Sequence, residues 1–502
     1  MCSLWLDIRD IISRNDAKPE KSKDTAAVKS ALMIAYFFPP EGCAGVYRPL
    51  RFIRELSRIG WCTSVLAGKP YRYERYDPEL ESMIPRETEV IRVRGTDMWQ
   101  AFQARRAREF ERTISDAPAT EAEKIRAAHY KPFRSRLREA VRTAEACWYI
   151  PDMQKDWIRP ATKAAVKLCA RKRPDVIWAT AGPVSSWVVA GKVSKRTDIP
   201  YVLDLRDPWG LDYYDSEVRR PAWAKDRFQR IMHRAFKGAK AVVFLFDTVA
   251  ERYRSLFPDA LEDSKIHIIP NGYDGPIGDF EVAEGNRCKI LYAGTLSTYR
   301  YDTLLEALRL FKTTDHRNAE RLKVIFVGEG MVPIANEAAG LGLSDMIETR
   351  PPVSFAESCR VQQEAHALLI LGRGPERKGQ ELVAGAKLFG YLKARRPIFG
   401  VLPHDETRRI LCSMGVSTIA DADSPSEIAA ILRLLVDAWA QGRLAGLLPD
   451  RPGCDALSTE RQTEALIRAF SGTTLTTTHR YSRFAKAAQF EESASEHEPA
   501  ES

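Results

Sequence analysis

Three kinds of pattern are missing from this 502-residue sequence, and each absence excludes a class of protein. No apolar run reaches the roughly 18 residues of a membrane-spanning helix, so we expect no transmembrane segment. The nine cysteines are scattered without close pairs, which argues against a disulfide framework and a zinc site and favours reduced thiols in the cytoplasm. The eight histidines form no H-x-x-H or H-E-x-x-H pattern, so we expect no metal ion.

The charge is modestly basic. Lys and Arg together number 76 against 67 Asp and Glu, which gives a formal net charge of +9. This excess favours anionic partners, whether nucleotide phosphates or an acidic membrane surface. No recognisable basic and aromatic module accompanies the charge, so nucleic acid is not an expected partner.

The first part of the chain alternates strands with helix-length segments. Ala31–Phe38 is a continuous apolar run, which is typical of a buried parallel strand, and a turn-rich loop and the helical pattern of Val46–Ile59 follow it. Further short apolar strands are predicted at Trp61–Ala67, Asp175–Ala179, Tyr201–Leu205, Ala241–Phe246 and Ile266–Ile269. This pattern predicts a doubly wound α/β domain over residues 30–278.

A second series of the same kind begins after a loop. Strands are predicted at Lys289–Ala293, Lys323–Val327, Ala367–Leu371 and Pro397–Val401, with helices over Asp302–Leu310 and Ala386–Lys393. Because the length also favours two domains, we predict a second α/β domain over residues 285–452.

Four segments lie outside these two series. Residues 1–29 are predicted to be a flexible N-terminal segment, 455–470 an amphipathic helix, and 472–502 a disordered tail. Residues 98–147 form a basic helical insertion in the first domain. Its basic residues are compatible with a solvated helix pair. Alternatively, they form a basic helix face that contacts anionic lipid or an acidic acceptor.

Two loops that follow strands of the first domain carry candidate ligand-binding residues. Gly42 and Gly45 precede the helix from Val46, where backbone N–H groups and the helix dipole favour an anion and Arg48 and Arg51 lie in the first turns. Such loops are also ordinary turns. The stretch Asp204–Trp209 places Arg206 and Asp207 after a strand. These charges form either a structural Asp–Arg pair or a contact with the acceptor or the transferred sugar, and Asp207 is the preferred candidate.

The second domain offers a matching set. Gly294 and Thr295 follow one strand, and Gly328 follows the next, so each loop allows a pyrophosphate to approach the backbone. Arg300 is a candidate phosphate cation. Arg373, Arg377 and Lys378 are further candidates, or belong to a solvated loop.

Eight strings occur in an order that resembles a known family. They are ALMIAYFFPPEGCAGVYRPLRFIREL, Pro151-Asp152 with Trp157, DVIWATAGPVSS, IPYVLDLRDPW, IHIIPNGYD, KILYAGTL, VIFVGEG and AKLFGYLKARRPIFGV. Over residues 30 to 470 they resemble the family 4 group of retaining GT-B glycosyltransferases, particularly enzymes of bacterial surface-polysaccharide pathways.

The resemblance implies two Rossmann-like domains facing a central cleft. It implies a hexosyltransferase that moves sugar from a nucleotide-sugar donor, held by the second domain without a metal ion or other cofactor, to a saccharide or lipid-linked saccharide acceptor held by the first. The helix at 455–470 would cross back to the first domain. Gly42–Gly45 would approach the donor phosphates, Gly294–Leu296 would line the donor cleft, Val353 would lie by the base, and Lys387 and Leu388 by the phosphates and ribose. The location would be cytoplasmic, or peripheral at the inner face of the cell membrane.

The chain departs from the family pattern at two places. Gly390 stands where the family usually has a Glu that holds the ribose hydroxyls, and the partner Glu falls at Leu382, beside Glu381. A usual Lys-Gly pair is absent, and Arg300 stands in that region. These departures leave two alternatives open: a catalytically degenerate nucleotide-sugar-binding or scaffold protein, and a sugar-nucleotide epimerase.

Overall fold

The chain forms two parallel β-sheets, one after the other. The computed structural model describes residues 29–71, 73, 75–96, 101, 105, 135–297, 299–372, 380–385 and 387–472. The predictions for residues 1–28, for most of the insertion up to residue 134, for 373–379 and for the tail after 472 therefore lie outside the described residues.

The first sheet has seven parallel strands in the order β3-β2-β1-β4-β5-β6-β7. The strands are β1 Ser30–Ala35, β2 Cys62–Gly68, β3 Glu89–Val93, β4 Val176–Thr180, β5 Tyr201–Leu205, β6 Ala241–Phe244 and β7 Ile266–Ile268. Successive residues of β1 point to opposite faces, so that Leu32 joins one hydrophobic core and Met33 the other. Burial on both faces explains why this strand is apolar throughout.

Helices cover both faces of this sheet. They are α1 Tyr47–Arg58, α2 Pro78–Ser82, α3 Ser135–Trp148, α4 Ile158–Lys172, α5 Ser185–Thr197, α6 Asp215–Val218, α7 Ala222–Gly238 and α8 Asp247–Leu256. Helix α3 is the described part of the predicted insertion.

The second sheet has six parallel strands in the order β10-β9-β8-β11-β12-β13. The strands are β8 Cys288–Ala293, β9 Leu322–Val327, β10 Ile347–Arg350, β11 Ala367–Leu371, β12 Ile398–Leu402 and β13 Ile419–Asp421. The helices are α9 Asp302–Thr314, α10 His316–Glu320, α11 Val332–Gly340, α12 Phe355–Gln363, α13 Lys387–Ala394, α14 Glu406–Ser413, α15 Pro425–Ala440, α16 Arg451–Asp455 and α17 Thr459–Ser471. Both sheets thus show the doubly wound arrangement that the sequence predicts.

Helix α17 packs against the first domain, not the second. Phe470 lies with its ring centroid 5.5 Å from Trp61 and 6.1 Å from Trp178, and Leu466 is fully buried in the same core. The chain therefore crosses between the domains twice, once after β7 and once before α17.

A buried ion pair joins α1 to the first of these crossings. The Arg48 guanidinium donates to both carboxylate oxygens of Asp204 at the end of β5, with a shortest distance of 2.9 Å, and the two side chains are 4% and 0% exposed. Arg48 also donates to the carbonyls of Ile269 at 2.9 Å and Pro270 at 2.8 Å, just after β7. Hydrogen bonds to all these acceptors offset the cost of burying the charge.

Substitution of Arg48 by Met should destabilise the protein by about 3–5 kcal/mol, because Asp204 is then left buried without a countercharge. Arg54→Met is the matched control, since Arg54 sits on the same helix in an exposed pair with Asp274 at 3.1 Å. It should change stability by about 1 kcal/mol or less. Urea denaturation of both variants measures the difference, and equal midpoints would contradict the assigned role of the buried pair.

Candidate active site

A cleft of about 1700 Å³ lies between the two domains. Its walls are built from loops that follow parallel strands of both sheets, including Gly45 after β1, Gly182 after β4, Gly372 after β11 and Pro403 after β12. The strand order reverses at the β1/β4 and β8/β11 neighbours, and ligands of open α/β sheets bind outside the carboxyl ends of strands at such points. The cleft therefore coincides with the ligand-binding position of both sheets.

The two glycines predicted after β1 have different surroundings. Gly45 lines the cleft. Gly42 is not among the lining residues; its N–H donates to the Arg75 carbonyl at 2.8 Å, and a β-carbon there would lie 3.0 Å from the Arg75 side chain. Gly42 thus permits close packing of two loops behind the cleft.

Arg206 ties three of the first domain's loops together. Its Nε donates to the Ala181 carbonyl after β4 at 2.8 Å, and its Nη1 donates to the Gly45 carbonyl after β1. Arg206 itself follows β5 and lines the cleft. Because these described partners are neutral carbonyls, the positive charge of the guanidinium stays available to the cleft.

Asp207 lies beside an aromatic group. The Tyr214 hydroxyl is hydrogen-bonded to the Asp207 carboxylate, and burial together with that carboxylate raises the pKa of Tyr214. The rings of Trp209 and Tyr214 stack with centroids 4.2 Å apart. All three residues line the cleft.

Glu217 supports this loop from behind. It is 2% exposed, and its Oε1 accepts a hydrogen bond from the Gly210 N–H at 2.7 Å. Burial raises the pKa of Glu217 to about 7, although the Gly210 N–H and the nearby Arg220 oppose the shift. The carboxyl group is thus held largely neutral below pH 7.

Asp152 holds the loop after β4 in the same domain. Its carboxylate accepts hydrogen bonds from the Ser185 N–H at 2.7 Å and the Ser185 hydroxyl at 2.6 Å, where α5 begins. The side chain is 7% exposed, and burial raises its pKa. Asp152 therefore belongs to the scaffold of the cleft wall.

In the second domain the glycines after β8 and β9 contact each other. Gly294 has φ +129° and Gly328 has φ +143°, and a β-carbon at Gly328 would lie 2.3 Å from the Gly294 carbonyl oxygen. No other residue type fits there without backbone movement. Thr295, which follows, is exposed, but none of these three is among the residues that line the cleft.

Lys387 is held by the loop after β8. Its Nζ lies 3.8 Å from the ring centroid of Tyr292 and 4.3 Å from that of Tyr299, and it donates to the Thr295 carbonyl at 3.3 Å. A β-carbon at Gly294 would lie 2.4 Å from Lys387 Cε. Lys387 thus connects α13 to the Gly294 turn. It lines the cleft together with Leu388, which is fully buried.

The remaining predicted donor residues are spread along the second wall. Arg300 lines the cleft and is paired with Asp423 at 2.8 Å and Asp302 at 3.4 Å. Glu381 also lines the cleft and is exposed, whereas Val353, 39% exposed, is not among the lining residues.

Gly390 lines the cleft on α13, and a β-carbon there would meet no atom within 4 Å. The space that a glutamate side chain would occupy at this position is therefore open.

The described residues contain no group of three or more His, Cys, Asp or Glu side chains arranged to hold a metal ion. Among their helices, none combines the length and apolar character needed to cross a membrane.

Comparison with known proteins gives a match for the first wall of the cleft. Residues 46–272 match the glycosyl transferase 4-like domain family. This part of the chain is therefore similar to glycosyl transferase 4-like domains. No curated protein is detectably similar in sequence to the chain.

Several solved structures are similar in fold to nearly the whole chain. The apo lipopolysaccharide outer core galactosyltransferase WaaB matches with a TM-score of 0.52 at 11% identity, covering 89% of this chain and 100% of its own. TarM matches with a TM-score of 0.54 at 10% identity, covering 89% and 99%. A TarM mutant from S. aureus, in complex with fondaparinux, α-GlcNAc-glycerol and UDP, matches with 0.50 at 10% identity, covering 88% and 100%.

These likenesses confirm the predicted α/β architecture of the GT-B type. The match over residues 46–272 supports the resemblance to family 4 in that part of the chain.

Several residues of the first domain have surroundings that differ from those predicted from the sequence, or were not predicted to belong to the site. The sequence suggests Arg48 and Arg51 as cations near the ligand, but Arg48 is buried in its pair with Asp204, and Arg51 alone of the two remains partly exposed on the cleft wall. Asp204 thus forms a buried structural pair whose partner, Arg48, lies outside the stretch Asp204–Trp209. Tyr214 and Glu217 were missed; the aromatic pair Tyr213-Tyr214 after the Pro-Trp-Gly turn was the available signal.

Glu217→Gln should flatten the pH dependence of stability. Glu217 has a folded-state pKa of about 7, above its usual value of 4.5, so the folded state holds the proton more tightly. The free energy of unfolding of the wild type therefore falls as pH rises from about 4.5 to 7 and stays at the lower level above that range. The variant lacks this titration, so the difference in melting temperature, variant minus wild type, should be larger at pH 8 than at pH 5.

The exposed Glu251 on α8 provides the control, because Glu251→Gln should follow the wild-type profile at both pH values. A constant offset between Glu217→Gln and wild type across pH 5–8 would refute the raised pKa.

Proposed function

We propose that the protein is a retaining glycosyltransferase that moves a hexosyl group from a nucleotide-sugar to a saccharide or lipid-linked saccharide acceptor in surface-polysaccharide biosynthesis. The observation that carries the proposal is the cleft, where strand ends of both sheets converge and one wall is similar to glycosyl transferase 4-like domains. The similar TarM structure contains UDP and α-GlcNAc-glycerol, a nucleotide and a saccharide, which fits this assignment.

In this proposal the second domain holds the donor. Lys387, which lines the cleft and is held against Tyr292 and Tyr299 by the loop after β8, faces the diphosphate in place of the Gly294 and Thr295 backbone. Arg300 lies on the same wall and exchanges its pairs with Asp302 and Asp423 for the phosphates. Glu381 accepts the ribose hydroxyls in place of the carboxylate absent at Gly390. Preorganised N–H groups and cations of this kind stabilise the leaving diphosphate without a metal ion.

The first domain then holds the acceptor and the reacting centre. Asp207 orients a hydroxyl of the acceptor or of the transferred sugar, and Arg206 fixes the three loops around it. Front-face attack through an oxocarbenium-like state accounts for retention. Closure of the cleft excludes water, so that transfer outcompetes hydrolysis.

We place the protein in the cytoplasm, peripheral at the inner face of the membrane. The support is the overall charge of +9 and the basic composition of the 98–147 insertion.

A panel of UDP-, GDP-, dTDP- and CMP-sugars should contain at least one donor that raises the melting temperature and is turned over, as followed by mass spectrometry. A donor at one hundred times its Kd stabilises the folded state by about 2.7 kcal/mol. Binding without turnover, with saccharide acceptors present, would instead favour the degenerate binding protein. Epimerisation of UDP-N-acetylglucosamine without acceptor would favour the epimerase.

Gly390→Glu should tighten binding of that donor by about tenfold to a hundredfold, because a carboxylate placed in the open space at 390 gains a charge-assisted hydrogen bond to the ribose. Gly390→Gln is the matched control, which fills similar space without the charge and should gain much less. Isothermal titration measures both. Equal Kd values for the two variants and wild type would show that the ribose does not lie beside α13.

A further inference from the structure

The loop after β5 presents aromatic rings as well as a carboxylate on the wall of the cleft. Tyr213 meets Tyr214 edge-on, with ring centroids 5.1 Å apart and an interplanar angle of 88°. Tyr214 in turn stacks on Trp209. Tyr213 and Asp207 both line the cleft and are both partly exposed. An aromatic ring and an anionic acceptor thus stand on one loop of the first domain.

This loop is held in place from several sides. The Tyr253 hydroxyl donates to the Trp209 carbonyl, and the Gly210 N–H donates to Glu217 at 2.7 Å. Near the far end of the loop, Lys225 pairs with Asp212 at 2.7 Å. A binding surface fixed in this way loses little conformational entropy when a ligand settles on it.

The chemistry of the pair selects one class of ligand. An aromatic ring packs well against the apolar C–H face of a pyranose ring, while a carboxylate accepts hydrogen bonds from its hydroxyls. A nucleobase also stacks on tyrosine, but Arg206 and Asp207 together leave this loop close to neutral, so a diphosphate attached to the base gains no net attraction here. A neutral polyol satisfies both groups at once.

We propose that Tyr213 and Asp207 form the acceptor subsite, which takes a neutral pyranose with its C–H face on the Tyr213 ring and a hydroxyl donating to Asp207. Trp209 and Tyr214 are positioning residues, since they act through the placement of these two. The role of the subsite in transfer rests on the proposed function, but its binding of a saccharide does not.

Saturation-transfer NMR tests the subsite directly, with methyl α- and β-glycosides of glucose, galactose, mannose and N-acetylglucosamine as probes. Wild type should bind at least one glycoside. Tyr213→Ala should weaken that binding by about threefold to tenfold, through loss of the ring. Asp207→Asn should weaken it by about tenfold or more, through loss of the charged acceptor.

Two controls accompany these variants. Tyr76→Ala removes a ring that is 62% exposed and is not among the lining residues, and it should leave glycoside affinity unchanged. UDP affinity, measured by titration, should be unchanged in both subsite variants, because the donor lies on the other wall.

Three results would overturn the assignment: no glycoside binding to wild type, glycoside binding unaffected by both substitutions, or a parallel loss of UDP binding, which would make the loop part of the nucleotide site. A wild type that binds a glycoside at this loop but turns over no donor would keep the subsite and reject the transferase function alone.

Discussion

The cleft depends on the buried pair between Arg48 and Asp204. Arg48 belongs to α1, directly after the Gly45 loop, and Asp204 stands two residues before Arg206 on β5. The same guanidinium binds the Ile269 and Pro270 carbonyls, where the chain leaves the first domain. A single planar cation therefore sets the positions of two loops of the first wall and of the segment that carries the second wall. Arg is suited to this because its several N–H groups point in fixed directions in one plane, which lets it satisfy a carboxylate and two carbonyls together.

How far the sequence predicts the fold depends on burial. The central strands β1, β5, β8 and β11 are mainly apolar because both faces are buried, and their predicted bounds agree with the structure to within three residues. The edge strands β3, β10 and β13 were missed. Glu89 and Arg92 on β3, and the sequence Ile-Glu-Thr-Arg of β10, lie at half-exposed sheet edges where charged side chains are accommodated. Such strands lack the continuous apolar signal on which the prediction relied.

The site was predictable at the level of loops but not of side-chain partners. The carboxyl ends of strands identified the loops at Gly45, Arg206 and Arg300, which the structure brings to one cleft. The partners that decide what each side chain does lie far away in sequence: Arg48 meets Asp204, and Lys387 meets the turn at Gly294. Local pattern carries no information on such contacts, so Arg48 looked like a ligand-binding cation until its burial was known. Glu217 shows the opposite error. Glutamate is usually exposed, so nothing in the sequence indicates that this side chain is buried and supports the loop after β5.

Charge divides the two walls in a way that bears on their roles. On the first wall, the positive charge of Arg206 is bonded to carbonyls and stands next to Asp207, so the pair is close to neutral and favours a hydroxyl-bearing ligand over an anion. On the second wall, Lys387 and Arg300 line the cleft, and α13 carries Gly390 where packing does not require it, since a β-carbon there meets nothing within 4 Å. Glycine inside a helix costs about 0.5–1 kcal/mol relative to alanine. Packing within the fold therefore does not require glycine at 390, and it leaves room on the cleft wall for a larger side chain.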